Sequence, residues 1–183
     1  MTHLWQILDN HALIHGKKPA IISGNSSVGY SELRRECESI VDLLSQNGVS
    51  SGDRIAVILE NSIEFALLYL ACFLDKITIV PISTQFPPEQ RSYILKISQP
   101  KAFIDKQTII KNKTSFCTLK NPAISNGIAG IFFTSGTTSN PKGVCHRESS
   151  LVANAQSFIE ATKLDSSVRM LNVMPMGYMA GFL

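Results

Sequence analysis

The sequence predicts an α/β fold in which a mostly parallel sheet is flanked by helices. Three observations carry that prediction. Short β-rich runs recur at residues 54–59, 77–82, 102–104 and 128–133. Apolar stripes of helical spacing separate the first three runs, the pattern of βαβ units with helices on both faces. The 183 residues are 44% hydrophobic, enough to bury the core of one ordinary domain or of one piece of a larger one.

The elements follow in order. Leu4, Trp5, Leu8 and Ala12 recur at helical spacing and predict an amphipathic helix ending near Gly16. Residues 20–23 and 28–30 read as two β segments across the turn formers Gly24 and Asn25. Leu33, Cys37, Ile40, Val41 and Leu44 form a 3.6-residue stripe, with Ser31 as the expected N-cap and a stop at Asn47-Gly48. After the strand at 54–59, Asn61 and Glu64 have the spacing of a capping box for a buried helix through Leu74. Residues 77–82 are the next strand. Pro88 opens a helix carrying Tyr93, Ile94 and Ile97, and a strand at 102–104 follows it. Residues 105–126 are polar and read as a connection. A buried strand at 128–133, a loop, a helix at 151–161 and a strand at 169–173 complete the pattern.

Charge and composition exclude several classes. Seventeen basic and 14 acidic residues are spread along the chain, so nucleic acid is not the expected partner. Lys106, Lys111, Lys113 and Lys120 gather only within a polar, solvated stretch. Cys37, Cys72, Cys117 and Cys145 form no CxxC pair, which argues against a zinc site or a disulfide framework and predicts a reducing cytoplasm. The N-terminal residues lack the basic and apolar regions of a signal peptide. The longest apolar run, residues 65–74, would span only about 15 Å as helix, half a bilayer core, so no membrane span is expected.

The strand at 128–133 runs into Thr134, Ser135, Gly136, Thr137, Thr138 and Ser139, then Asn140, Pro141, Lys142 and Gly143. Hydroxyl donors and glycine-exposed N–H groups suit phosphate oxygens, Lys142 adds a mobile positive charge, and Pro141 limits the freedom lost on binding. A Walker loop, GxxxxGK[ST], would need glycine at Pro141 and Ser or Thr at Gly143, and fails at both. An ordinary Ser/Thr-rich surface loop has the same composition; the order of the residues separates the two. His11 and His15 have the i, i+4 spacing of a metal pair, but with no third ligand they are expected on a solvated helix face. His146 is expected to be a satisfied structural histidine.

The apolar lead-in IFF followed by TSGTT, two residues and PKG resembles the phosphate-binding signature of the adenylate-forming (AMP-binding) superfamily of acyl- and aryl-CoA ligases, luciferases and peptide-synthetase adenylation domains. Ser139 stands where glycine is usual. Similarity extends through KKPAIISGNSSVGYSELRREC, GVSSGDRIAVILENSIEFALLYLACF, VPISTQFPPEQRSYILKIS and MPMGYMAGFL, leaving residues 105–126 unmatched. Lys76-Ile77 departs from the family's usual Gly-Ala before the Val-Pro strand.

The resemblance implies a two-step reaction. A carboxylate attacks the α-phosphate of Mg·ATP to give acyl-AMP, and the thiol of CoA or of a carrier protein then displaces AMP. By position, Thr134, Ser135, Thr137, Thr138 and Lys142 would hold the β- and γ-phosphates, and Gly136 would give backbone access. Tyr178 and Gly181 would lie at the acid pocket, and the metal ligands are not assigned. The family's adenine-stacking Gly-x-Thr-Glu segment, ribose-binding aspartate and catalytic lysine have no counterpart here. Residues 1–183 are therefore expected to be the N-terminal portion of an AMP-binding domain, lacking the later subdomain and the C-terminal lid, without a catalytic residue of their own and inactive alone. Self-association through the truncated face is expected. The loop and the Pro-Met-x-Tyr-x-x-Gly motif resemble acyl or aryl acid ligases more than peptide synthetases. The alternative is a naturally short, non-catalytic module that binds a nucleotide, pyrophosphate or a protein.

Overall fold

The computed structural model describes residues 4–107, 127–134 and 140–182. In chain order they form α1 (Leu4–His15), the antiparallel hairpin β1 (Pro19–Ser23) and β2 (Ser26–Gly29), α2 (Tyr30–Gln46), β3 (Arg54–Ile58), α3 (Ile63–Leu74), β4 (Thr78–Pro81), α4 (Pro88–Ser98) and β5 (Ala102–Asp105). Then come β6 (Gly130–Thr134), β7 (Lys142–His146), α5 (Glu148–Thr162) and the single turn α6 (Met179–Phe182). The main sheet has the order β5-β3-β4-β6-β7, parallel throughout except for β7, which runs antiparallel to β6 at one edge. The expected mostly parallel α/β architecture is present.

Strand alternation builds the core. Ile55, Val57, Ile79, Ala102, Ile104 and Phe132 point to the face covered by Leu44 of α2 and by Phe65, Leu68, Tyr69 and Cys72 of α3. Their neighbours Ala56, Val80, Ile131 and Phe133 point to the opposite face, where Ile94 of α4 and Phe86, in the turn before that helix, pack. An outer layer joins Trp5 of α1 to Leu33 and Cys37 of α2 and Leu67 and Ala71 of α3. Arg34 fastens α1 to α2 by pairing with both oxygens of Asp9, while its guanidinium lies 4.8 Å over the Trp5 ring.

Caps locate the helix ends. α2 begins two residues earlier than expected, at Tyr30 with Gly29 and not Ser31 as its N-cap, because the Glu32 carboxylate accepts the Gly29 N–H at 2.9 Å and Ser31 is already inside the helix. α3 is capped by Ser62, whose hydroxyl accepts the Phe65 N–H, and Asn61 is left for another task. At its other end Lys76 takes a φ of 54° while the Ile77 N–H reaches back to the Cys72 carbonyl. This is the left-handed helix stop glycine adopts freely. The turn thus keeps a glycine-like geometry at a backbone cost of about 1–2 kcal/mol for a residue with a Cβ.

Two readings of the chain require correction. Residues 169–173 form no strand: Met170, Leu171 and Val173 are 68%, 85% and 73% exposed, and no described strand lies alongside to pair with them. β-rich composition without a ladder partner does not make a strand. Conversely, residues 142–146 form β7, which was expected to be loop. The connection proposed for residues 105–126 lies outside the described residues from 108 onward.

Asp53, of the Gly-Asp-Arg segment that opens β3, is buried beneath the turn at 50–53. Burial pushes its carboxyl up, but the Ser50 N–H and hydroxyl and the Lys101 ammonium, at 2.8, 3.0 and 3.0 Å, outweigh this and hold it below its ordinary value. A carboxylate whose folded-state pKa is depressed stabilises the fold above its unfolded value, about 3.9 for Asp, and loses that contribution as pH falls through the folded value. Acid unfolding of Asp53→Asn is therefore expected to be less steep below about pH 4 than that of the native chain. Identical acid limbs in the two urea-midpoint-versus-pH curves would refute the assignment.

Candidate functional site at the carboxyl edge of the sheet

The path of the sheet prepares a site before any side chain is considered. From β3 the chain passes to β4 on one side, then crosses back to β5 on the other. Helices α3 and α4 leave on opposite faces, as their packing on the two core clusters shows. The chain segments leaving the paired ends of β3 and β4 thus diverge, which opens a crevice outside the carboxyl ends, where open α/β sheets bind ligands. Such a crevice is present. It encloses ≈ 250 Å³ between Asn61 after β3, Ser83 and Thr84 after β4, and Pro175 and Gly177 of the segment before α6.

Asn61 builds one wall. Its amide donates to the Met174 carbonyl and accepts the Met176 N–H, both at 2.8 Å. The hydroxyl of Tyr69, a core residue of α3, donates to the Met176 carbonyl at 2.7 Å. Gly177 lies against Ser83, with room for no side chain: a Cβ there would stand 2.7 Å from the Ser83 Cα. Sequence reasoning missed Asn61 and Tyr69 because their partners lie more than 100 residues away. Only the polar Asn-Ser pair ahead of an apolar helix hinted that one residue was free of capping.

The loop that suits phosphate joins β6 to β7 at this same edge. Thr134 and Lys142 are register partners at the loop end of the β6–β7 hairpin, with the Thr134 hydroxyl 3.5 Å from the Lys142 carbonyl. Both are exposed, and the Lys142 ammonium makes no hydrogen bond or ion pair among the described residues. Gly143 lets β7 cross the Phe133 ring, whose Cζ would be 3.0 Å from an added Cβ. Ser135, Gly136, Thr137, Thr138 and Ser139 lie outside the described residues.

Tyr178 is half-buried, its ring edge-on to Phe86 at 5.5 Å, and it packs on the cluster containing Phe133, the residue before Thr134. The hairpin and Tyr178 are thereby brought to one side of the sheet. Gly181 is buried: its N–H donates to the Tyr178 carbonyl and its own carbonyl accepts the Asn172 amide at 2.6 Å. His146 leaves the site, since its ring meets the edge of Phe132 at 5.6 Å in the core-facing part of β7. His11 and His15 are not on a solvated face but half-buried in a cleft elsewhere. Among the described residues no group of three or more His, Cys, Asp or Glu side chains could hold a metal ion, and no helix is long and apolar enough to cross a membrane.

This geometry has known counterparts. The chain is 26% identical to a CoA ligase of Gibberella moniliformis over 98% of its own length and 35% of the relative's. It is 26% identical to tyrocidine synthase 1 of Brevibacillus parabrevis over 85% of its length and 16% of the relative's. The O-succinylbenzoate coenzyme A synthetase of Bacillus subtilis, solved with AMP, superposes with a TM-score of 0.84 at 22% identity, over 99% of this chain and 51% of that one, so the two share a fold. The same synthetase has been solved with ATP and magnesium ion. The chain thus spans about half or less of each protein it matches. The family model of the AMP-binding enzymes matches residues 8–126 and 112–183, so nearly the whole chain belongs to the AMP-binding enzyme family of adenylate-forming proteins.

Proposed function

We propose that residues 1–183 are the N-terminal portion of a cytoplasmic AMP-forming acid–thiol ligase that activates an acyl or aryl acid and passes it to the thiol of CoA or a carrier protein. The observation that carries this reading is the β6–β7 hairpin. It sets Thr134 and Lys142, whose ammonium has no partner among the described residues, opposite one another at the carboxyl edge, with residues 135–141 between them. That donor set fits a triphosphate. Magnesium is expected to arrive with the nucleotide, and its protein ligands are not assigned.

In the first step a carboxylate oxygen attacks the α-phosphorus of ATP, the bond to the β-phosphate breaks, and pyrophosphate leaves. Thr134, Ser135, Thr137, Thr138 and Lys142 hold the β- and γ-phosphates, and Gly136 admits them to the backbone. Lys142 offsets the charge growing on the departing pyrophosphate, the kind of interaction that contributes most to phosphoryl and adenylyl transfer. In the second step the thiol sulfur attacks the acyl carbonyl carbon and AMP leaves. Tyr178 and Gly181 border the acid.

The reading also holds that this chain does not complete adenylation alone. In support, apolar side chains outside the clefts stand exposed from β7 through the segment after α5: Val144, Phe158, Leu171 and Val173. Further chain would cover them, and without it two copies would associate there.

Two measurements test the proposal. The 183 residues alone should give no acid-dependent exchange of labelled pyrophosphate into ATP; exchange would overturn the incompleteness. In the longer polypeptide identified by its mass in the source cells, Lys142→Ala should slow that exchange by about 10²–10³, the cost of losing one charge-stabilising donor. An unchanged rate would remove the loop from the mechanism, and a native product of only 183 residues would favour a non-catalytic binding module.

A further inference from the structure

A second cleft, of ≈ 570 Å³, lies on the helical side between α1, the β1–β2 hairpin and the segment that follows α5. None of the described site residues lines it. One wall is aromatic. His11 stacks on Tyr30 with ring centroids 5.6 Å apart and on His15 at 5.5 Å, the two histidines being one turn apart on α1. The Nδ1 atom of His11 is buried there without a hydrogen-bond partner, a state that polar atoms in native folds seldom occupy.

The rim is cationic. The Lys18 ammonium donates to the Ser166 carbonyl at 2.5 Å, which fixes it at the mouth with two of its three N–H bonds unused. Arg169 is exposed and makes no hydrogen bond or ion pair among the described residues, while it lines the same opening. Asp165 is the acidic group present. Its Oδ1 accepts the Ser167 N–H at 2.8 Å and hydroxyl at 2.5 Å, and its charge acts on Lys18, so Lys18 and Arg169 together leave the rim one positive charge in excess. The remaining surface is apolar, with Ile22, Ile159 and Met170 standing 54%, 47% and 68% exposed.

We propose that this cleft binds a small planar aromatic carboxylate, with its ring against the His11–Tyr30 stack and its carboxylate between Lys18 and Arg169. A flat π-face, an apolar body and two convergent cations are the complement of that ligand class, and the volume falls in the usual range for small-molecule sites, about 300–1,000 Å³. A metal ion fits less well, because two imidazoles with no third ligand make an incomplete site. A nucleotide triphosphate would bring more negative charge than two cations beside Asp165 can offset. The inference does not depend on the reaction proposed above.

The test is titration of the chain with 2-naphthoate, read by the ring C–H resonances of His11 and His15. Saturable upfield shifts at both rings are expected. Lys18→Gln/Arg169→Gln, two substitutions at the rim, should weaken binding at least tenfold with the rest of the spectrum unchanged. Neutral 2-naphthalenemethanol should bind at least tenfold more weakly than the carboxylate. Absence of shifts, equal binding of the alcohol, indifference to the double substitution, or displacement of 2-naphthoate by ATP would each overturn the assignment.

Discussion

Replacement of Gly177 or Gly181 by alanine is expected to release the segment at 172–182 from the sheet. An added Cβ at Gly177 would stand 2.7 Å from the Ser83 Cα across the contact with the sheet; at Gly181 it would stand only 2.2 Å from the Pro175 carbonyl oxygen, a clash inside the segment that forces its own turn open and so removes the shape that docks. Both obstacles are backbone atoms, which cannot swing aside as a flexible side chain does. Overpacking in a core costs about 1–3 kcal/mol, and a backbone obstacle belongs at the upper end or beyond. The loss has a ceiling, however. The segment is held to the sheet by the two Asn61 hydrogen bonds and the Tyr69 hydroxyl. At about 0.5–1.5 kcal/mol each, these bonds together contribute roughly as much as the clash costs. Local detachment therefore competes with global unfolding. Proteolysis should become rapid near Met170–Met174 while the urea midpoint falls only modestly. Gly24→Ala is the control, because nothing lies within 4 Å of its added Cβ although its φ is +57°. Equal protease resistance in all three variants would sink the close-approach argument.

Phe132→Ala should produce the largest global loss. Phe132 is 2% exposed in the middle of β6, parallel to the Tyr69 ring at 6.5 Å and edge-on to His146 at 5.6 Å. Removing a buried phenyl ring costs about 3–5 kcal/mol, a large share of the 5–15 kcal/mol that ordinarily separates folded from unfolded. Its position adds a functional consequence, for Thr134 follows two residues later on the same strand and β7 leans on β6 through the hairpin. A loosened β6 carries the loop with it, so affinity for a fluorescent ATP analogue should fall along with stability. Phe133→Leu, on the opposite face, conserves most of the volume and should cost under about 1.5 kcal/mol. A Phe132→Ala midpoint within 1 kcal/mol of the parent would show that the α3 side of the sheet collapses around the cavity.

What could be read from the sequence was what depends on near neighbours. The α2 stripe, Pro88 at the first turn of α4 and the Gly24-Asn25 turn rest on forces acting over a few residues, and each element stands within a residue or two of its expected place. The loop order of Thr134 to Lys142 was legible for the same reason. What escaped depends on distant partners. β7 is a strand because Phe133 offers Gly143 a surface to cross, and residues 169–173 are not because no described strand lies beside them. Asn61 read as a cap because its real partners, Met174 and Met176, are 113 and 115 residues onward. Lys76 shows the reverse: where the family pattern has a glycine, a residue with a Cβ takes a φ of 54°, a conformation glycine reaches freely.

The order β5-β3-β4-β6-β7 also bears on how the chain assembles. Strands β3, β4 and β5 pair within a stretch of some fifty residues, and β6 and β7 form a hairpin of their own. The two units meet through a single parallel pairing, in which β6 must find β4 across the long connection between them. Closing that connection has an entropic cost before any contact repays it. The β6–β7 unit, which carries the loop proposed to hold phosphate, is therefore expected to join last, and its arrival completes both core clusters through Ile131, Phe132 and Phe133.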